Sequence, residues 1–425
     1  MAGHLARRSS LAILSTVRSS PIQPTTMISV KTCNCCHSEA LVELYRGSTT
    51  SSLTTMNTTL HGPTVVSYCS ICGHVQTDPL FDLKSYYEET YEVGRLNEND
   101  DQLYAMDGDR PVYRAEHQAR IACQLLAIDE TTRILDYGCG KSLTMMRITE
   151  KLPGLQPFLY DVSDKYLPIW ASFTSRDHCF VRSIPASAQG SFDIVTSFYA
   201  LEHISDLSDA LSSIYVCLKP GGTFYFLVPN VLVNVADFIV ADHVNHFLPS
   251  SLQALLLRNG FTDVEVSDSL HFAAFVVTAR KAAPEDGQAP APTVQFLPEL
   301  PYQVDEGDWL ELQSISSFWA SQEQRLMARL TSLPLHACLG IYGAGFYGSY
   351  LRGLLQATGR TAVVIVDQNP FLQGTFVDGL LVVAPSQLPE DVDTLLVGLN
   401  PKSAKGIIQG IEAWQERILD CIYLE

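Results

Sequence analysis

The chain has 425 residues, 46% of them hydrophobic, enough for two or three separately cored domains. Its 46 acidic against 28 basic residues leave a net charge of −18, which excludes a nucleic-acid backbone or an anionic membrane surface as the main partner, since both need clustered Lys and Arg. No stretch approaches the unbroken apolar length that spans a bilayer, so a soluble, cytoplasmic protein is expected.

The N-terminus departs from this balance. From Met1 to Ser38 there is no acidic residue, while Arg7, Arg8, Arg18 and several serines are present. Residues 1–27 therefore read as a mitochondrial transit peptide, a disordered extension, or sequence upstream of a start at Met27. Folded sequence begins with a lobe over 28–85 that holds "KTCNCCHSEA" and "YCSICGHVQ". Cys33-x-x-Cys36 and Cys69-x-x-Cys72 form two knuckles, each able to supply two thiolates to a tetrahedral structural Zn2+ with no open position. Gly73 suits the turn after the second pair. Cys35 is a spare, and His37 or His74 can substitute as a ligand. Of the 11 cysteines, Cys123, Cys139, Cys179, Cys217, Cys338 and Cys421 stand singly in apolar or helical patterns. Without a secretory signal, metal binding outranks a disulfide framework. A redox CxxC is the alternative, and duplication of the pair counts against it.

The next domain is expected over 86–281. It opens on a polar, Tyr-rich stretch containing Tyr86, Tyr87 and Tyr91, and a helix is predicted from near Pro111 to Ile128. Strand and helix then alternate. "TRILDYGCG" is an apolar strand entering a Gly-rich turn, "PFLYD" a second strand ending on Asp161, "FDIVTSFYALEHI" a third, and "GGTFYFLVPN" a fourth. The helix "SSLQALLLRNG" and a closing pair of strands, "DVEVSDS" and "FAAFVVTARK", complete the run. The class is α/β with a doubly wound, mostly parallel sheet. Asp136 ends the first strand, and Gly138 and Gly140 open its turn, letting the backbone approach a ligand at the sheet's carboxyl edge. Ser142 stands where a third glycine often sits.

Between the fourth strand and its helix lies Asp242-His243-Val244-Asn245-His246. Metal binding by the two histidines is disfavoured, because no further ligand is evident nearby in the sequence. A histidine capping the following helix is the structural alternative. A Pro/Ala-rich linker over 282–308 leads to a helix and a second Rossmann-like unit over 309–425. There Gly343, Gly345 and Gly348 satisfy GxGxxG, with Asp367 at the end of the next strand.

The turn through Gly138 and Gly140, Asp161, "SFYALEHI" and "LKPGG", in that order, resembles the class I S-adenosylmethionine-dependent methyltransferases over about residues 115–281. The resemblance implies S-adenosylmethionine as cofactor, held by Asp136, Gly138, Gly140, Asp161, Phe198, Glu202 and His203. Asp161 would hold the ribose; an N-cap is its structural alternative. The whole order, zinc knuckles, methyltransferase unit and second Rossmann-like unit with "VDQNPFLQG" (Val366 to Gly374), resembles the sugar C-methyltransferases that act on nucleotide-linked keto-deoxysugars. In that family a Tyr-His-Glu-His stretch covers the substrate. Here it reads Val240-Ala241-Asp242-His243, so the acid and the second histidine are kept and the tyrosine and first histidine are not. By this resemblance His243 is the base that forms an enolate, His246 its competitor, and Asp242 an orienting group or a ligand for a hydroxyl. One of Tyr86, Tyr87 and Tyr91 would face the substrate, a nucleotide-linked keto sugar or related small molecule. Rival readings are an O- or N-methyltransferase of a small metabolite, a fused NAD-dependent oxidoreductase half, and an inactive fold that recruits a partner through its knuckles.

Overall fold

A computed structural model of the protein describes residues 32–47, 51–90, 101–283 and 306–425. The expected extension over 1–27, Tyr91 and most of the linker over 282–308 lie outside these residues.

The central sheet has seven strands: β1 (Ile134–Tyr137), β2 (Phe158–Asp161), β3 (Cys179–Val181), β4 (Phe192–Phe198), β5 (Leu218–Pro229), β6 (Phe261–Ser267) and β7 (Ala274–Lys281). Their order is β3-β2-β1-β4-β5-β7-β6, parallel except for β7, which runs antiparallel to both β5 and β6. The sequence explains the layering. Successive residues of these strands enter opposite cores, Leu135, Val195, Phe224 and Phe226 one, and Ile134, Ile194, Tyr225 and Leu227 the other. Both faces are thus buried, and the strands read as apolar runs without polar alternation. Helices Leu207–Cys217 and Pro249–Arg258 cover the first face through Leu211, Ile214, Leu252 and Leu255. Helices Arg114–Leu125 and Leu143–Lys151 cover the second through Ala119, Ala122, Met145 and Ile148. This is the doubly wound α/β class expected.

One predicted boundary moves. The helix starts at Arg114, because Pro111 belongs to a strand, Arg110–Tyr113, that pairs with Leu103–Asp107. Tyr104 of this hairpin stacks on His117 with ring centroids 3.9 Å apart, and its hydroxyl oxygen accepts from Phe272 N–H at 2.9 Å.

The knuckle lobe carries a four-stranded antiparallel sheet, Leu41–Arg46, Val65–Cys69, Val75–Thr77 and Asn245–His246. Its last strand comes from the histidine stretch of the central unit, so that stretch is built into the lobe. The Ser/Thr-rich sequence between the knuckles forms a hairpin, Ser51–Leu53 with Thr59–His61.

In the C-terminal unit Leu339–Tyr342 lies between Val364–Val366 and Thr394–Val397, all parallel, with Leu380–Val383 and Asp420–Tyr423 outside them and Phe376–Val377 antiparallel at the edge. The 27-residue helix Glu306–Ser332 splints the halves together. Its stripe Leu312, Ile315 and Trp319 packs on Val66, Tyr68, Val235 and Phe238, while Leu326 and Leu330 enter the C-terminal core. Among the described residues no helix is long and apolar enough to cross a membrane.

His271, packed edge-on against His117 and Tyr104, is buried with Nε2 unpartnered, and burial lowers its pKa to about 4. The unfolded chain takes up this proton near pH 6.5 and the folded one does not, so folding stability falls as pH drops from about 6.5 to about 4. Urea unfolding of His271→Gln across that window should show a pH dependence shallower than wild type by about 2 kcal/mol. An unchanged slope would mean that His271 titrates normally.

Candidate active site

The Gly-rich turn leaves β1 at Tyr137. Gly138 and Gly140 take φ of 65° and 49°, and a Cβ on Gly138 would lie 2.7 Å from Ala200 Cβ. Glycine is thus required on two grounds, conformation and close approach. Asp136 is 1% exposed, and its two oxygens accept from Ser142 Oγ at 2.6 Å and Thr196 Oγ1 at 2.9 Å. It closes the turn against β4, and burial raises its pKa to about 7. Ser142, in the third-glycine position, is left-handed at φ 55°. Asp161, ending β2, accepts from Gly140 N–H at 2.8 Å and from Ser163 N–H at 2.9 Å. Since the following helix begins only at Leu167, Asp161 is not its N-cap.

Phe198 ends β4 half-buried, with its ring 5.9 Å from that of Tyr225. Tyr199 turns left-handed at φ 54°, and a short 3₁₀ turn, Leu201–His203, carries Glu202 and His203 inward. The histidine stretch packs directly on this turn. Val244 N–H donates to Glu202 O at 2.8 Å, and Asn245 Nδ2 donates to Leu201 O at 2.8 Å and Ile204 O at 2.7 Å.

His243 is 8% exposed, and its Nδ1 is held by the carboxylate of Asp237, an acid that sequence reasoning missed. The other Asp237 oxygen accepts from His246 Nδ1 at 3.0 Å. Burial alone would lower the His243 pKa, but the Asp237 charge more than offsets it and holds the imidazole at about 9. Burial would likewise raise Asp237, yet the charge and hydrogen bonds of the two histidines hold it well below the usual carboxylate range. The orienting role expected of Asp242 therefore falls to Asp237. The Asp242 side chain is fully buried and accepts from Thr55 N–H at 2.7 Å and Thr55 Oγ1 at 2.6 Å, fixing the inter-knuckle hairpin to the site. His246 is fully buried, with Thr77 Oγ1 2.8 Å from its Nε2, so both ring nitrogens are engaged. It is sealed from solvent and does not compete with His243. Neither histidine caps the helix that follows, whose cap residue is Leu248.

Of the candidate tyrosines, Tyr87 reaches the site. Its hydroxyl lies 2.6 Å from His203 Nδ1 and donates to Asp242 O at 3.2 Å, while His203 Nδ1 lies 2.8 Å from the same carbonyl. Tyr86 is buried against Phe81. Glu202 is 1% exposed, and burial pushes its pKa up to about 8. The one sequence signal for Asp237 was a lone acid inside the apolar run "VADFIV", because a buried carboxylate demands partners.

Cys33, Cys36, Cys69 and Cys72 offer four sulfurs within 4.8 Å of one another, with Cys33 to Cys72 at 3.5 Å and Cys36 to Cys69 at 3.6 Å. Tetrahedral zinc with 2.3 Å bonds needs sulfur–sulfur edges of about 3.8 Å, so the set fits. Cys35 lies outside the group and donates its N–H to Cys33 Sγ at 3.4 Å; His74 instead bonds Asn245 Oδ1 at 3.0 Å. In the C-terminal unit the Asp367 oxygens accept from Ala344 N–H and Asn369 N–H, both at 2.8 Å. A Cβ on Gly348 would lie 1.9 Å from Gly343 O, so that glycine serves packing of turn on helix.

The sequence model of a family described as "Methyltransferase domain" matches residues 112–266. This stretch spans helix Arg114–Leu125, strands β1 to β5, and the start of the closing pair. The central unit is a class I S-adenosylmethionine-dependent methyltransferase domain. A ubiquinone biosynthesis O-methyltransferase of Idiomarina loihiensis is 30% identical over 126 residues, 28% of this chain and 51% of the relative, so the chain spans about half the relative's length. Among solved structures, an S-adenosylmethionine-dependent methyltransferase from Mesorhizobium loti is similar with 18% identity and a TM-score of 0.32, over 39% of this chain and 98% of its own. Human N-acetylserotonin methyltransferase, solved with S-adenosylmethionine, gives 16% and 0.33, over 39% of this chain and 52% of its own. The methyltransferase domain takes S-adenosylmethionine as cofactor, and the turn fits it, with bare backbone at Gly138 and a carboxylate at the tip of β2.

Two outcomes follow from these geometries. Gly138→Ala should weaken S-adenosylmethionine binding at least tenfold by calorimetry and cost about 1–2 kcal/mol of stability from its left-handed backbone alone. Metal analysis of the purified chain should find one zinc held by the thiolates, released with a large drop in Tm when Cys69→Ser opens the set.

Proposed function

We propose that this protein is an S-adenosylmethionine-dependent methyltransferase of a small molecule that methylates the carbon next to a ketone, with a nucleotide-linked keto-deoxysugar as the acceptor class. The observation that supports this reading most is the buried Asp237–His243 pair set against the turn Leu201–His203 that follows β4. S-adenosylmethionine, when bound, supplies an electrophilic methyl on a sulfonium; Gly138, Gly140 and Asp161 would hold it, with Phe198 beside it.

His243 acts as the base. Asp237 fixes Nδ1 as the protonated nitrogen, which leaves Nε2 to take the α-proton of the ketone. The nearby carboxylate strengthens the imidazole as a base but leaves it mostly protonated near neutral pH, so the neutral ring that takes the proton grows as pH rises toward about 9. The electron pair left on carbon is shared with the ketone oxygen as an enolate and forms the new bond to methyl carbon. The proton stays on His243, stabilised by Asp237, until solvent removes it. The C-terminal unit holds the remainder of the acceptor, and Zn2+ on Cys33, Cys36, Cys69 and Cys72 keeps the lobe folded without touching the chemistry. The name of the partial relative favours a second reading, in which His243 takes the proton of a hydroxyl and the methyl goes to oxygen.

Methyl-labelled S-adenosylmethionine offered with a panel of nucleotide-linked 4-keto-deoxysugars and phenols tests both. We expect label on a ring carbon by NMR, lowered about 100- to 10,000-fold in His243→Gln with donor affinity unchanged. Label on oxygen would overturn carbon methylation, and full transfer by His243→Gln would remove the base from this residue.

A further inference from the structure

The sequence gives His243 no metal partners, but the fold supplies them from the turn after β4. Glu202, His203 and His243 each present a ligand atom, all within 4.8 Å of one another, and the two imidazole rings meet edge-on with centroids 4.8 Å apart. A second observation sets this group apart from an ordinary polar cluster. Glu202 Oε2 is buried and has no hydrogen-bond partner, although burying an unsatisfied carboxylate oxygen is costly.

The surroundings match what a cation needs. A ligating histidine binds through one ring nitrogen and hydrogen-bonds through the other to a carboxylate or a backbone carbonyl. His243 Nδ1 is bonded to the Asp237 carboxylate, and His203 Nδ1 lies 2.8 Å from Asp242 O with the Tyr87 hydroxyl beside it. On the His243 ring the nitrogen that remains is Nε2. Two imidazoles and one carboxylate form the three-ligand face that divalent first-row metals occupy with open positions left over.

We propose that Glu202, His203 and His243 form a second metal site, separate from the four thiolates, that takes a borderline divalent cation such as Co2+, Fe2+ or Zn2+. Its effect on catalysis rests on the reading of His243 as the base: the cation takes the Nε2 lone pair that proton abstraction needs, so filling the site stops methyl transfer.

Co2+ added to the full chain, with zinc already in the thiolate site, tests binding and catalysis separately. We expect one equivalent of Co2+ to bind with weak visible bands and no thiolate charge-transfer absorption. Affinity should fall at least tenfold in Glu202→Gln, a near-isosteric change whose fold is checked by circular dichroism and thermal melting. No binding beyond the thiolates, or equal binding by folded Glu202→Gln, overturns the site. Transfer lost in step with the Co2+ spectrum supports the site's link to His243. Transfer that rises with Co2+ leaves the site standing and overturns His243 as the base.

Discussion

The carboxylate of Asp237 is the constraint on which the site depends. It is 1% exposed, and a charge so placed is tolerated only when hydrogen-bonded and paired. Both oxygens are used, one by His243 and one by His246. A single acid thereby fixes the tautomer of two rings in one short stretch, and that stretch cannot move without exposing or unpairing the charge. Removing one partner of a buried pair typically costs about 3–5 kcal/mol, which makes this the stiffest point of the loop.

The long helix, the C-terminal unit and the knuckle lobe each contribute to holding that carboxylate in place. The 3₁₀ turn that bears it, Val235–Ile239, lies under the long helix, whose Trp319 Nε1 donates to Val235 O at 2.7 Å. From the C-terminal unit, Tyr347 accepts from Ala236 N–H at 3.0 Å and donates to Asn234 Oδ1 at 3.0 Å, and Asn400 Nδ2 donates to Val233 O at 2.9 Å. From the knuckle lobe, Asn34 Nδ2 donates to Val244 O at 3.1 Å and to Asn245 Oδ1 at 2.9 Å, and Thr77 bonds the far side of His246. Asn34 sits between Cys33 and Cys36, so a metal that closes the knuckle also sets the anchor of the histidine stretch. This is how a lobe remote from the chemistry can govern it.

The α/β class was legible because hydrophobic periodicity is local: buried strands announce themselves as apolar runs, and Gly138 and Asp161 stand at strand ends where the pattern puts them. The pairing of Asp237 with His243 was not legible, because Asp242 is adjacent in sequence and adjacency favoured it. The chain turns between the two, carrying the nearer acid to Thr55 and the farther one to the imidazole. The hairpin that displaced Pro111 from the predicted helix pairs its strand with Leu103–Asp107 across the two-residue turn Gly108-Asp109, a local turn signal that the helical spacing after Pro111 outweighed. Glu202 and His203 were read for the donor side because "LEHI" follows a strand. Their contact with His243 needs the strand Asn245–His246 to join the knuckle sheet, a tertiary event without a sequence period.

The second Gly-rich turn shows how a motif can serve the fold. Its glycines let the helix Phe346–Ala357 pack tightly on the strand before it, and Asp367 spends its carboxylate on the turn's own backbone. The first turn of that helix then presents Tyr347 to the loop that carries Asp237. Tight packing here is what gives the tyrosine a fixed reach, since a helix displaced by even one Cβ at Gly348 could not keep both hydrogen bonds to the loop. The C-terminal unit is therefore tied to the Asp237 carboxylate through backbone geometry, and that tie operates whether or not a nucleotide binds the same turn.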